Sequence, residues 1–180
     1  MNIFVTNPDP QVSAKSLPDK HIVKMPLETC QMLSIVFSHW YYDWGDDLVK
    51  KKDGTAYKTS KGAFRNHPCT QWAADSKYNT AWLIQHGCAL VDEYTHRYNK
   101  VHGCANALFE AKKTFHKMTN DVIVCYSMVE HFTRAMPDVY KHDTSIDTFT
   151  AYKNYISSKP WVASNYLRDP SRQPDWVTVK

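Results

Sequence analysis

Apolar positions in this chain recur mostly every three or four residues, a spacing that predicts helices. The clearest run begins at Ser16. Ile22, Val23, Leu27, Met32, Leu33, Val36 and Phe37 fall at helical intervals within it. Ser16 reads as the N-cap, with Asp19 three residues on as its capping-box partner. Pro18 suits the first turn, where its missing N–H has no partner to lose. Pro26 lies inside the pattern and is expected to kink the helix by removing one backbone bond. The pattern carries the helix to about Tyr42.

The flanking segments are shorter. Asn2 to Thr6 is a β-prone stretch that Asn7-Pro8-Asp9-Pro10 breaks. Asp9 is a plausible N-cap with Pro10 at the first helical position, opening a helix to about Lys15. Residues 43–65 form a loop rich in charge and glycine, long enough to be functional or mobile. Asn66 or His67 before Pro68 marks the next start. Trp72, Asn79, Trp82, Leu83 and His86 keep helical spacing up to Gly87, read as a helix end. A further helix carries Leu90, Val91, Tyr94 and Tyr98, and residues 104–117, 120–136 and 145–158 read as three more. Met136-Pro137-Asp138 ends the second of these. The tail from Lys159 is irregular, and Trp161 and Trp176 imply that it folds back onto the helices. The expected fold is mostly α, a compact single-domain helical bundle over residues 1–180. It has a short extended N-terminal segment and an irregular C-terminal tail.

Composition changes this picture little, and charge changes it locally. The chain has 180 residues, 43% of them apolar, enough for an ordinary core. No apolar run is long enough for a membrane span. Met1-Asn2-Ile3-Phe4-Val5 lacks the basic flank of a signal peptide. The five cysteines are scattered with no CxxC pair, which fits free thiols in a reducing cytoplasm. Net charge is +4, a mild lean toward polyanions. Between residues 50 and 65, however, Lys50, Lys51, Lys52, Lys58, Lys61 and Arg65 face a single Asp53. Eleven Tyr, six Trp and nine His accompany these cations, a mixture that suits nucleic-acid binding as well as core packing. The bland alternative for the lysines is a solvated surface loop.

The candidate chemistry lies on the long helix. His21, Lys24 and Glu28 stand at i, i+3 and i+7 and share one face. A base, an amine and a carboxylate in one stripe can do acid–base work. The same residues also allow an ordinary i,i+4 pair between Lys24 and Glu28. Glu93 and Arg97 form a second such pair, either beside a base or phosphate or merely exposed. His86-Gly87-Cys88 and His102-Gly103-Cys104 repeat a tripeptide, but their spacing fits no common structural zinc pattern. No metal or cofactor is expected. No phosphate loop, Rossmann glycine pattern, nucleophile elbow or deaminase zinc signature is present.

Asn2-Ile3-Phe4-Val5, Asp9-Pro10, Asp19-Lys20-His21-Ile22-Val23-Lys24-Met25, Glu28-Thr29 and Gln31-Met32-Leu33 together resemble small phage proteins. These are grouped with the pyrimidine-dimer DNA glycosylases of the endonuclease V type. The likeness continues through Asn66-His67-Pro68-Cys69, Trp72, Trp82-Leu83, His86-Gly87, Glu93-Tyr94 and Arg97-Tyr98. It closes with Met136-Pro137, Ala151-Tyr152, Lys159, Trp161 and Trp176. The resemblance implies nucleotide flipping, glycosidic-bond cleavage and strand scission through an imine, without a metal, in the host-cell cytoplasm. It makes Glu28 the carboxylate near C1′ and His21 a holder of phosphate or sugar. In the family the nucleophile is the α-amine of a Thr exposed by removal of the initiator Met. Here Asn2 follows Met1, and methionine is normally removed only before small residues. Either the Met1 amine serves, Lys24 takes over, or imine chemistry is absent. Leu27 also stands where the family has a basic residue before its Glu.

The substrate-contact set that follows includes Trp72, Trp82, Tyr94 and Trp161 as stacking rings. Lys50, Lys51, Lys52, Lys58 and Arg65 would ride phosphates. Asn7, Asp9, Asn66, His67, Arg97 and Lys159 complete it. The expected partner is double-stranded DNA or a nucleotide, bound by a monomer. Two other readings compete: a nucleotide- or modified-DNA-processing enzyme on the same scaffold, and a non-enzymatic phage nucleic-acid-binding protein.

Overall fold

The fold is taken from a computed structural model. It describes residues 1–38, 49–58, 63–119, 128–129 and 131–178. Its helices are α1 (Pro10–Lys15), α2 (Asp19–Phe37), α3 (Pro68–Asp75), α4 (Lys77–Tyr98), α5 (Ala105–Met118), α6 (Asp138–Lys141) and α7 (Thr148–Ser157). The chain is mostly helical, and the described residues contain no strand, only an isolated antiparallel bridge between Lys50 and Ala56. None of the described helices is long and apolar enough to cross a membrane.

Two long helices organise the rest. α2 packs against α3, α4 and α5, and α4 packs against α1, α3 and α5. The apolar stripe of α2 supplies Ile22, Met32, Leu33, Val36 and Phe37, all fully buried. They belong to one cluster with Trp82, Leu83 and Leu90 of α4, Leu108 and Phe115 of α5, and Tyr152 and Ile156 of α7. Each such aliphatic side chain contributes about 1.5–3 kcal/mol on burial.

Several local expectations meet tertiary corrections. Asp9 caps α1 as its sequence implies, accepting from the N–H groups of Gln11 and Val12, with Pro10 at the first helical position. Ser16, however, closes α1 instead of opening α2, and its hydroxyl lies 2.6 Å from that of Thr6. α2 starts at Asp19 behind Pro18, which supplies no side-chain cap. Its cap comes from the tail: Asn165 accepts the Asp19 N–H on its backbone carbonyl at 2.8 Å. The Asn165 side chain accepts the Lys20 N–H at 2.9 Å. Asp19 is thereby released from a capping box and receives the Arg97 guanidinium instead. α2 runs on through Pro26 to Phe37, and residues 39–42 lie outside the described set.

Gly87 does not end a helix, because α4 continues through it to Tyr98. A Cβ there would stand 2.7 Å from Thr29 Cγ2 and 2.9 Å from Leu108 Cδ2. The glycine faces Thr29 of α2 and Leu108 of α5, and any side chain there would force one or both to shift. The helix expected over 120–136 also fails where it can be seen. Residues 131–136 are irregular, and Pro137 opens the short α6; residues 120–127 and 130 lie outside the described set. His131 adopts a φ of 46°, and the Arg134 guanidinium donates to the carbonyls of Tyr140, Asp143 and Ile146, drawing the segment out of helical geometry. α7 begins at Thr148 with Asp147 as its cap, a little later than expected.

His86 is packed flat on Trp82, with ring centroids 4.7 Å apart, and its Nε2 is buried without a partner. Burial pushes its pKa down to about 3. Between that value and the usual range near 6.5 the unfolded chain binds the extra proton, so stability falls as pH drops from about 6.5 toward 3. At pH 5 this removes roughly 2 kcal/mol. His86→Leu is expected to flatten the loss of Tm between pH 7 and pH 5, read by thermal unfolding at both values. An unchanged slope would place the acid sensitivity elsewhere.

Candidate active site

The site is built where the N-terminal segment crosses the first turns of α2. Asn2 accepts the N–H groups of Ile3 and Phe4 on its side-chain oxygen, at 2.8 and 3.1 Å. Its amide nitrogen donates to the Ala135 carbonyl at 2.6 Å. Phe4 then takes a φ of 41°, a left-handed conformation that an aromatic residue adopts only under constraint. Residues 2–6 are buried, and the Met1 side chain is only 2% exposed. The residue as a whole is half-buried, so what Met1 shows to solvent is its backbone end. Its α-amine lies 3.8 Å from Glu28 Oε2.

Glu28 is buried on α2, and its other oxygen, Oε1, lies 3.2 Å from Lys24 Nζ. One carboxylate therefore faces two amines, the α-amine on one side and a lysine on the other. The Lys24 side chain is 68% exposed, so that pair is worth only a few tenths of a kcal/mol to stability. His21, at the same face, stacks on Phe4 at 4.0 Å and meets the edge of Trp161 at 5.8 Å. Burial first, then the Lys159 and Lys24 charges, lower its pKa to about 4. It is neutral at pH 7, with a buried Nδ1 that has no partner. His67 lies in the same electrostatic field. Burial and the Met1 amine lower its pKa, while Glu28 pulls the other way. It caps α3, accepting the Cys69 N–H on Nδ1 at 3.2 Å.

Met1, Phe4, His21, Lys24, Glu28 and Trp161 wall a cleft of about 340 Å³, and His67 lies outside its lining. Lys20 covers one face of Trp161, its Nζ 4.5 Å from the ring. Lys159 lies 4.0 Å from the Tyr155 ring, which itself stacks on Phe4. So Glu28, His21, Lys24, Met1, Trp161 and Lys159 converge. Asn2, Phe4 and Lys20 join them without having been singled out in the sequence. The signal for Asn2 in the sequence is its short amide side chain, which favours local capping turns.

The remaining candidates lie elsewhere. Trp82 is fully buried and Trp72 nearly so, in edge-to-face contact at 5.9 Å, leaving no ring face for a base. Trp82 also donates its indole N–H to the Pro8 carbonyl. Arg97 is buried and spent inside the protein. It donates to Glu93, Asp19 and the carbonyls of Leu17 and Lys15. Tyr94 stacks on Tyr98 at 4.6 Å. Asn7 accepts the Asp9 N–H, and Asp9 is occupied as a helix cap. Asn66 is exposed and Arg65 half-buried on the 3-10 turn before α3.

Lys50, Lys51 and Lys52 are exposed on a turn that contains the Lys50–Ala56 bridge. They line a separate cleft of about 540 Å³ against α5. Lys58, at the end of this segment, passes its carbonyl to Ser34 Oγ at 2.6 Å, and Tyr57 meets Cys30. At about 100° per residue, Cys30 and Ser34 lie on the side of α2 opposite Glu28. The lysine run and the Glu28 cleft thus occupy opposite flanks of one helix.

Neither a curated protein nor a solved structure matches the chain. The model of the pyrimidine dimer DNA glycosylase family matches residues 1–106. That stretch is more than half of the chain and carries Met1, His21, Lys24, Glu28 and His67. The chain belongs to the pyrimidine dimer DNA glycosylase family.

Proposed function

We propose that the chain excises a damaged pyrimidine from duplex DNA by drawing the nucleotide into the Glu28 cleft and cleaving its glycosidic bond through an imine. The observation that carries this reading is the pairing of a buried carboxylate with a chain-terminal amine at 3.8 Å. The Met1 amine is the nucleophile in this reading, set against that carboxylate in the wall of the cleft. Its lone pair attacks C1′. The bond from C1′ to the base breaks, and the electron pair leaves with the base, which takes up a proton. The nitrogen gives its proton to Glu28; its lone pair then forms the C1′=N bond as the C1′–O4′ pair passes to O4′, which takes that proton back from Glu28 and leaves the open-chain imine. Negative charge at Glu28 also stabilises the cationic sugar as the bond breaks. Loss of a C2′ proton from the imine then expels the 3′ phosphate. Lys24, exposed and bound to Glu28, is better suited to a flanking phosphate.

Duplex contact falls to the exposed ridge of α2. Lys20, Val23, Lys24 and Leu27 are all exposed there, beside the cleft. The lysines meet phosphates, and the aliphatic pair faces the gap left by the extruded nucleotide. Neutralising Lys20 and Lys159 together is expected to reduce the slope of log affinity against log salt by about 2. Neutralising Lys50, Lys51 and Lys52 is expected to change it less. The reverse order, measured by fluorescence anisotropy at four salt concentrations, would move the duplex to the far flank of α2.

The decisive experiment incubates the protein with irradiated and untreated duplex in borohydride and maps any adduct by mass spectrometry. A covalent adduct on the Met1 peptide, formed only with irradiated DNA, is the expected result. Neither adduct nor base release with irradiated DNA would overturn the reading.

A further inference from the structure

We infer that Asn2 is the positioning residue of the nucleophile, a role that rests on the imine reading above. The amine belongs to the end of the chain, and an end free to swing would rarely meet Glu28. Asn2 removes that freedom with three hydrogen bonds. Two close a turn over Ile3 and Phe4, and the third ties the turn to Ala135. Ala135 is held in its own right: its N–H donates to the Tyr152 hydroxyl, which donates to the Thr133 carbonyl at 2.9 Å. The turn is therefore fixed to the 131–136 segment and α7, neither of which carries a reacting group.

The strained φ of Phe4 is the counterpart of this hold. A left-handed aromatic is strained and persists only where its surroundings determine it. Here the strain has a use. It directs the Phe4 ring onto His21 at 4.0 Å and leaves the chain end over Glu28 at 3.8 Å. Asn2 combines two properties at this position. Its amide offers an acceptor to the turn and a donor to Ala135 at once. Its size also keeps it outside the small residues before which methionine is usually removed.

Asn2→Leu keeps the bulk and loses all three bonds. Asn2→Asp keeps the acceptor for Ile3 and Phe4, loses the donor to Ala135, and brings a negative charge beside the amine. The substrate is a duplex with one abasic site, whose aldehyde traps the amine without base release. Intact mass verifies that Met1 is present in every protein. Asn2→Leu is expected to lower the single-turnover rate of borohydride trapping at Met1 by about 10²-fold, with half-saturation by DNA nearly unchanged. Asn2→Asp is expected to shift the pH–rate profile upward, because an adjacent carboxylate favours the ammonium form. That shift is read even if Asn2→Leu fails to fold. Equal trapping at Met1 in wild type and Asn2→Leu, or coincident profiles for wild type and Asn2→Asp, overturns the role of Asn2 alone. A wild-type adduct on Lys24, or none at all, overturns the imine reading together with it.

Discussion

Glu28→Gln is expected to lower imine formation on irradiated duplex by at least about 10²-fold, with little change in Tm. Glutamine preserves the shape and the hydrogen-bonding capacity of the side chain. It removes the one group at the cleft that can both accept the amine's proton and oppose positive charge on the sugar. The carboxylate meets the Met1 amine through Oε2 and Lys24 through Oε1, so both contacts weaken together. Neither should unfold the protein, since the Lys24 ammonium is mostly in water and the α-amine lies at the partly exposed backbone end of Met1. Binding of undamaged duplex should survive, because the ridge lysines are untouched. Single-turnover trapping, duplex affinity and thermal unfolding on the same preparation separate these effects. Full activity in the variant would show that Glu28 is not the catalytic carboxylate.

The second large effect concerns stability. Arg97→Leu is expected to cost about 3–5 kcal/mol, because it leaves charged partners buried without their cation. Asp19 and Glu93 both face the guanidinium, at 3.0 and 2.9 Å, and both are buried. Arg172 also reaches Glu93, at 2.7 Å, but Asp19 keeps only the Arg168 N–H. For a chain of this size the loss corresponds to roughly 10 °C in Tm. Arg97→Lys should recover only part of it, since an ammonium cannot reproduce the fork that reaches Glu93, Asp19 and two carbonyls. A variant with unchanged Tm but weakened DNA affinity would return Arg97 to the substrate-contact set.

What the sequence revealed and concealed divides along physical lines. Local chemistry was legible. Asp9-Pro10 opened α1 because cap and proline act within one turn, and His21, Lys24 and Glu28 shared a face because helical periodicity is local. Long-range demands were not. Ser16 and Asp19 had the form of a capping box, but Asp19 was claimed by Arg97, 78 residues away. Gly87 looked like a stop because glycine often is one, whereas here three helices needed the space. Trp72 and Trp82 carried no mark separating a stacking platform from a core ring. The lysine run was conspicuous, yet nothing in residues 50–65 told which flank of α2 it would join. Asn2 was hidden most fully, since its main partner is 133 positions away.

The capping of α2 by Asn165 bears on when the Glu28 cleft is complete. The first-turn amides of Asp19 and Lys20 find their acceptors only once residue 165 has been synthesised, and Trp161 reaches His21 in the same docking event. A nascent chain on the ribosome can bury much of the α2–α4 core while its Glu28 cleft still lacks a wall and its helix start frays. Assembly of the cleft is therefore coupled to late synthesis by loop closure across 145 residues, a slow, high-contact-order step. The bonds that cap α2 thus complete the wall of the Glu28 cleft only in chains that have reached residue 165.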